Sequence, residues 1–146
     1  MRYNLSNITS FVTLRQEMDY IENYLAIQKI RFGKRISYQI DCAAELESMF
    51  IPFFSIQPLV ENAVEHGILN KTAGGKLSVS ALVHGSHIQI CIKDNGIGIS
   101  KNYLEELRNI LQGTTLRKSQ KGVGLYNCYH RFLLMFGKNI DFSIES

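Results

Sequence analysis

The chain has 146 residues, 45% of them hydrophobic and 20% charged, proportions that suit one compact globular domain and exclude wholesale disorder. Sixteen Lys and Arg against 13 Asp and Glu leave a net charge of +3, too small an excess to demand a nucleic-acid backbone as partner. No apolar run approaches the ~18 residues that would span a bilayer, no basic-then-apolar leader opens the chain, and Cys42, Cys91 and Cys128 form no CxxC pair, so the sequence reads as a soluble cytosolic chain with buried, reduced thiols.

Residues 1–12 carry no clear period and read as the tail of something larger. Thr13-x-x-Gln16 predicts a capping box, in which each side chain satisfies a backbone N–H at a helix start. From Leu14 to Phe32 two apolar rows recur at helical spacing, Leu14, Met18, Ile21 and Leu25 in one and Tyr20, Tyr24 and Ile27 in the other. A helix with two apolar faces expects two partners, and Gly33 marks its stop. Ile36, Tyr38 and Ile40 alternate as a short strand. A second helix is expected to open near Pro52, a residue that suits a first turn, with Ile56, Leu59, Val60, Ala63, Val64 and Gly67 on one side. Pro58 falls within it and predicts a kink or a later start. Leu77 to Val83 and Ile88 to Ile92 alternate on either side of His84-Gly85-Ser86, a hairpin pattern. Ser100 can cap a helix through Leu104, Leu107, Ile110 and Leu111 that ends at Gly113. Residues 112–121 are polar and aperiodic, a loop. Gly122-Val123-Gly124 leads into a last helix through Leu125, Tyr129, Phe132 and Phe136, stopped by Gly137, and Ile140–Glu145 reads as a final strand. The expected class is α+β, with helices on one face of a sheet.

Three segments bear chemistry. In Glu61-Asn62-Ala63-Val64-Glu65-His66-Gly67, Asn62 and His66 share a helix face beside the apolar stripe. The Asn62 carboxamide could complete an Mg²⁺ shell otherwise made of water and phosphate oxygens, or the face could simply be solvated. In Asp94-Asn95-Gly96-Ile97-Gly98, at a strand end, the carboxylate suits the exocyclic amine of a purine and the glycines allow close backbone approach. An ordinary Asp-Asn-Gly turn is the plainer alternative. Lys121-Gly122-Val123-Gly124-Leu125, before a helix, offers backbone N–H groups, a helix N-terminus and the charges of Lys118 and Lys121 to an anion, or it is a flexible connector.

Taken together, the order and spacing of these segments resemble the nucleotide-binding pattern of the GHKL superfamily, with Asn62 in the asparagine box, Asp94, Gly96 and Gly98 in the first glycine box, and Gly122 and Gly124 in the second. The wider strings around residues 57–67 and 122–131, with Asn23-Tyr24-Leu25 and Gln28-Lys29-Ile30-Arg31-Phe32, are similar to the LytS/YesM-type bacterial sensor histidine kinases, over essentially the whole chain. The resemblance implies a GHKL (Bergerat-type) two-layer sandwich, a mixed sheet with helices on one face, over residues 34–146, preceded by a linking helix over 1–33. It implies ATP and Mg²⁺ as ligands and phosphoryl transfer to a histidine, then to an Asp of a response regulator. Asn62 would bind Mg²⁺, Asp94 the adenine amine, and Gly96 and Gly98 would shape that end of the pocket. Gly122 and Gly124 would hinge a lid over 112–121, while His66, Lys121, Leu125 and Asn127 would line the site. Relatives of this type are membrane-anchored homodimers whose kinase part is cytoplasmic, fed by an upstream histidine-bearing helical domain.

The chain departs from that pattern in three places. No His-Phe-x-x-Asn-like acceptor string occurs, and none of His66, His84, His87 and His130 has a motif for phosphorylation. Glu65 stands where a lysine is often found. Relatives usually continue beyond the position of Ser146 through a further turn and strand, which predicts a sheet short of one edge strand. Gyrase-, mismatch-repair- and chaperone-type relatives carry a glutamate base one turn before the asparagine. Here that position is Pro58, so hydrolysis is not the expected task. Anti-sigma serine kinases match the helix at 14–32 less well, and the remaining alternative is a nucleotide-binding or docking module without kinase activity.

Overall fold

The computed structural model describes residues 10–112 and 123–146, and the chain divides into two compact units, one up to Ile97 and one from Gly98 to Ser146. In the first unit, β1 (Phe11–Thr13) runs antiparallel to β3 (Phe50–Pro52), pairing Phe11 with Pro52. Between them α1 (Leu14–Phe32) begins at the expected capping box. Gln16 N–H donates to Thr13 Oγ1 at 3.2 Å and Thr13 N–H to Gln16 Oε1 at 2.9 Å. Leu14, Met18, Ile21 and Leu25 are all buried, whereas Tyr20 and Ile27 of the second row are largely exposed. Gly33 ends the helix with φ 58°, a left-handed conformation that glycine adopts without strain.

The sheet has the order β2-β4-β5, from β2 (Ile36–Cys42), β4 (Gly75–His84) and β5 (His87–Asp94). β2 lies parallel to β4, and β4 and β5 form the predicted hairpin. Register places Ile36, Tyr38 and Ile40 beside Gly75, Leu77 and Val79, and Leu77, Val79 and Ala81 beside Asp94, Ile92 and Ile90. One face is therefore apolar, and Ser37, Gln39, Ser78 and Ser80 line the other, the pattern of a sheet covered on one side only. The row Ile88, Ile90, Ile92 ends on Asp94, which puts a carboxylate at the margin of the core face.

The second helix does not open near Pro52. Pro52 belongs to β3, where its pairing with Phe11 uses a strand position, and α2 spans Gln57–Asn62 with Pro58 in its first turn, the later start that Pro58 allowed. The helix widens without a break into a π-helical segment, Ala63–Ile68, with Val60, Val64 and Ile68 buried.

In the second unit, Ser100 caps α3 (Lys101–Leu111) by accepting the Tyr103 N–H at 3.3 Å, and Leu107 and Ile110 are buried. Helix α4 (Val123–Phe136) ends before Gly137, which has φ 61°. The expected strand over Ile140–Glu145 is absent, since residues 140–146 form no regular structure. The Ile144 carbonyl accepts Arg108 Nε and Nη2 at 3.1 and 2.9 Å, so a side chain occupies a group that a ladder would need. Only Cys128 of the three thiols is buried. Cys42 and Cys91 are half-buried, Cys91 because its register with Ser80 puts it on the polar face. Gly113 and most of the loop at 112–121 lie outside the described residues. Among the described residues, no helix is long and apolar enough to cross a membrane.

Candidate functional site

The turn before α2 is held from a distance. Glu17, on the buried side of α1 with no exposed surface, accepts three backbone N–H groups: Phe54 on Oε2 at 3.1 Å, and Ile56 and Gln57 on Oε1 at 3.0 and 3.2 Å. These include donors that a helix start leaves without intrahelical partners. Phe54 has φ 54°, a region that non-glycine residues rarely enter. The buried Ser55 hydroxyl donates to the Pro52 carbonyl at 2.6 Å and fixes the other side of the turn. Glu17 was not apparent as a site-building residue from sequence. The signal was an acidic residue three positions after Leu14 and four before Ile21, inside an apolar row.

Asn62 ends α2 with an exposed side chain that makes no hydrogen bond with the described residues, and His66 is exposed four positions on. Gly67 follows within the π-helical segment and meets the loop after β5. A Cβ on Gly67 would stand 2.7 Å from Asp94 Oδ1, and one on Gly96 would overlap the Gly67 backbone. Both positions require glycine for this approach. The seam is closed by the Ile97 N–H donating to the Gly67 carbonyl at 3.1 Å. Asp94 Oδ1 accepts the Gly96 N–H at 2.8 Å, an Asx turn, and Oδ2 bonds to none of the described residues. Asn95 fixes the loop from its far side: its Oδ1 accepts the Lys76 N–H at 2.6 Å and its carbonyl accepts Lys71 Nζ at 2.9 Å. The carboxylate therefore keeps one oxygen for the fold and presents the other.

The same helix carries two carboxylates one turn apart, Glu61 and Glu65. Burial pushes the Glu61 carboxyl up, with the Glu65 charge adding to it and the 3.3 Å hydrogen bond from Gln57 opposing. The Tyr24 hydroxyl is pushed up to about 12, first by burial and then by the Glu65 and Glu61 charges.

In the second unit, Gly98 has φ 76°, and neighbouring Ile99 exchanges hydrogen bonds with Ser146 Oγ through its N–H at 2.9 Å and its carbonyl at 3.0 Å. Gly124 lies in the first turn of α4, Leu125 is buried and Asn127 exposed. Lys118, Lys121 and Gly122 lie outside the described residues. Among the described residues, no group of three or more His, Cys, Asp or Glu side chains could hold a metal ion. The Asn62 amide can give a divalent cation one oxygen ligand, the share of an Mg²⁺ shell that a protein supplies when phosphates and water supply the rest.

The model of histidine kinase-, DNA gyrase B- and HSP90-like ATPases matches residues 54–146, and that of histidine kinases matches residues 1–36. The chain is 33% identical over 137 residues to an uncharacterized sensor-like histidine kinase of Staphylococcus epidermidis, covering 94% of this chain and 26% of the relative. It is 31% identical over 146 residues to the sensor protein kinase HptS of Staphylococcus aureus, covering all of this chain and 27% of that one. The chain thus spans about a quarter of these curated relatives. Two nucleotide-free structures of the catalytic domain of histidine kinase ThkA share the fold. One has a TM-score of 0.57 at 14% identity, covering 86% of this chain and 81% of the other. The second has a TM-score of 0.52 at 12% identity, covering 85% and 78%.

Proposed function

Because the chain belongs to the family of histidine kinase-, DNA gyrase B- and HSP90-like ATPases, we propose that it is the ATP-binding catalytic part of a two-component sensor histidine kinase. In this reading residues 34–146 bind Mg·ATP, and residues 1–33 link them to an upstream helical region bearing the acceptor histidine. The bond from the γ-phosphorus to the bridging oxygen breaks, a bond to an imidazole nitrogen forms, and ADP leaves. An Asp of a response regulator then takes the phosphoryl group. The parent protein is a membrane-anchored homodimer and this part faces the cytoplasm.

One observation carries the reading: the close seam of Gly67 and Gly96, which sets Asp94 at the end of the helix bearing Asn62. In this reading Asp94 Oδ2 accepts the adenine amine, and Asn62 ligates Mg²⁺ and through it the phosphates. Gly96 and Gly98 shape the purine end. By the family resemblance, His66, Lys121, Gly122, Gly124, Leu125 and Asn127 belong to the proposed set of nucleotide-binding residues. This chemistry asks the protein for positioning and charge neutralisation. Pro58 stands one turn before Asn62 and has no side chain able to activate water, which favours transfer over hydrolysis.

Calorimetric titration with a non-hydrolysable ATP analogue tests the reading. Binding is expected in Mg²⁺, weaker with a chelator present. Asp94→Asn should lower affinity about 10- to 100-fold, the worth of a hydrogen bond to a charged acceptor, at an unchanged unfolding midpoint. A folded chain that binds no analogue, or binds it equally well as Asp94→Asn, sinks the assignment. Transfer of labelled γ-phosphate to an added histidine-bearing helix separates the kinase from a binding module, which would bind and transfer nothing.

A further inference from the structure

Glu17 is the one buried carboxylic acid among the described residues. Burying such a group is costly unless its oxygens are bonded, and an apolar residue would fill the same space in the row of Leu14, Met18 and Ile21 without that demand. What the carboxylate holds is the entry to α2: the Phe54, Ile56 and Gln57 N–H groups, including a residue at φ 54°. Asn62 lies five residues beyond Gln57 on the same uninterrupted helix, and Gly67 at its far end abuts Asp94. A shift of α1 along its axis would carry the acceptor for all three amides with it.

We propose that Glu17 is a positioning residue for the nucleotide site, fixing the start of the Asn62 helix so that the placement of α1 and the occupancy of that site bias one another. The inference rests on the reading of Asn62 and Asp94 as Mg·ATP ligands. Coupling of this kind is reciprocal: whatever α1 does to nucleotide affinity, nucleotide does to α1. Glu17→Gln is the informative variant, since it keeps the volume but replaces one of the two acceptor oxygens by an NH₂ group that faces N–H donors. Ile21→Val, on the same buried row, removes a methylene but no hydrogen bond and serves as the packing control.

The test is titration of the whole chain with a non-hydrolysable ATP analogue, in Mg²⁺ and in chelator, combined with amide hydrogen exchange. Glu17→Gln should weaken analogue binding about tenfold in Mg²⁺, within the usual range of coupling between sites, and less in chelator, where the share of Asn62 acting through the metal is already absent. Ile21→Val should bind as the parent does. In the parent chain, saturating analogue should slow exchange at Phe54, Ile56 and Gln57, a measurement that stands even if Glu17→Gln fails to fold. Unchanged affinity in folded Glu17→Gln, an equal loss in Ile21→Val, or exchange at those amides indifferent to the analogue overturns the proposal. A parent chain that binds no analogue fails one step earlier and overturns the nucleotide reading itself.

Discussion

The Tyr24 hydroxyl is buried and has no hydrogen-bond partner among the described residues. Leaving a buried hydroxyl unbonded costs free energy, so Tyr24→Phe should leave stability at pH 7 unchanged or raise it slightly, read by urea unfolding. At high pH the same group works against the fold. Its folded value of about 12 exceeds the ordinary 10.0, so the unfolded chain releases the proton first. The associated stability is complete below pH 10 and is lost between pH 10 and about 12. Tyr24→Phe should therefore flatten the fall in stability across that window. A variant as steep as the parent chain would place the titration elsewhere, for example at Tyr38, also raised by burial and by its hydrogen bond to Glu22. At this scale the sequence was informative about Asp94: alternation through Ile88, Ile90 and Ile92 leads to a carboxylate on an apolar face, which local polarity alone does not explain. It was silent on Tyr24, whose neighbours Glu61 and Glu65 approach from a helix that begins 33 residues later.

Elements were legible where their causes are local. The capping box at Thr13, the stop at Gly33, the β4–β5 hairpin and the Ser100 cap all arise from residues within a few positions of one another, and all stand where the pattern put them. The start of α2 was misplaced because its cause is distant: Glu17 lies 40 positions from Gln57, and Pro52 is claimed by pairing with Phe11. The strand expected at Ile140–Glu145 failed for a related reason, since alternation shows which way side chains point but not what occupies the carbonyls. The contact between the π-helical segment and the β5 loop gives the prediction proper to this scale. Gly67→Ala would push a methyl against Asp94 Oδ1, so one of the two elements must move. Unfolding free energy should fall by about 1–3 kcal/mol, as in other overpacked sites, and analogue affinity should fall with it. Retained affinity in the variant would mean that the seam does not set the position of Asp94.

Across the whole molecule, the two family matches fall on either side of a gap between residues 36 and 54, yet the first unit ignores that division. Helix α1, inside the histidine kinase match, buries Leu14, Ile21 and Leu25 in the unit that also holds β2, α2 and the hairpin. Its first turn is tied forward as well, with Leu14 N–H donating to the Met49 carbonyl at 2.8 Å and Arg15 N–H to that of Glu47 at 3.0 Å. The parallel pairing of β2 with β4 carries a consequence for the order of assembly. The hairpin closes over a two-residue turn and can form within microseconds, but β2 must wait until the intervening turn and helix have collapsed, since Ile36 meets Gly75 across a long loop. Ile36→Val should therefore speed unfolding with little effect on refolding, whereas Val79→Ala, inside the hairpin, should slow refolding. During synthesis on the ribosome, β2 leaves the exit tunnel ahead of β4, so its edge waits without a sheet partner until Gly75–His84 has followed it out.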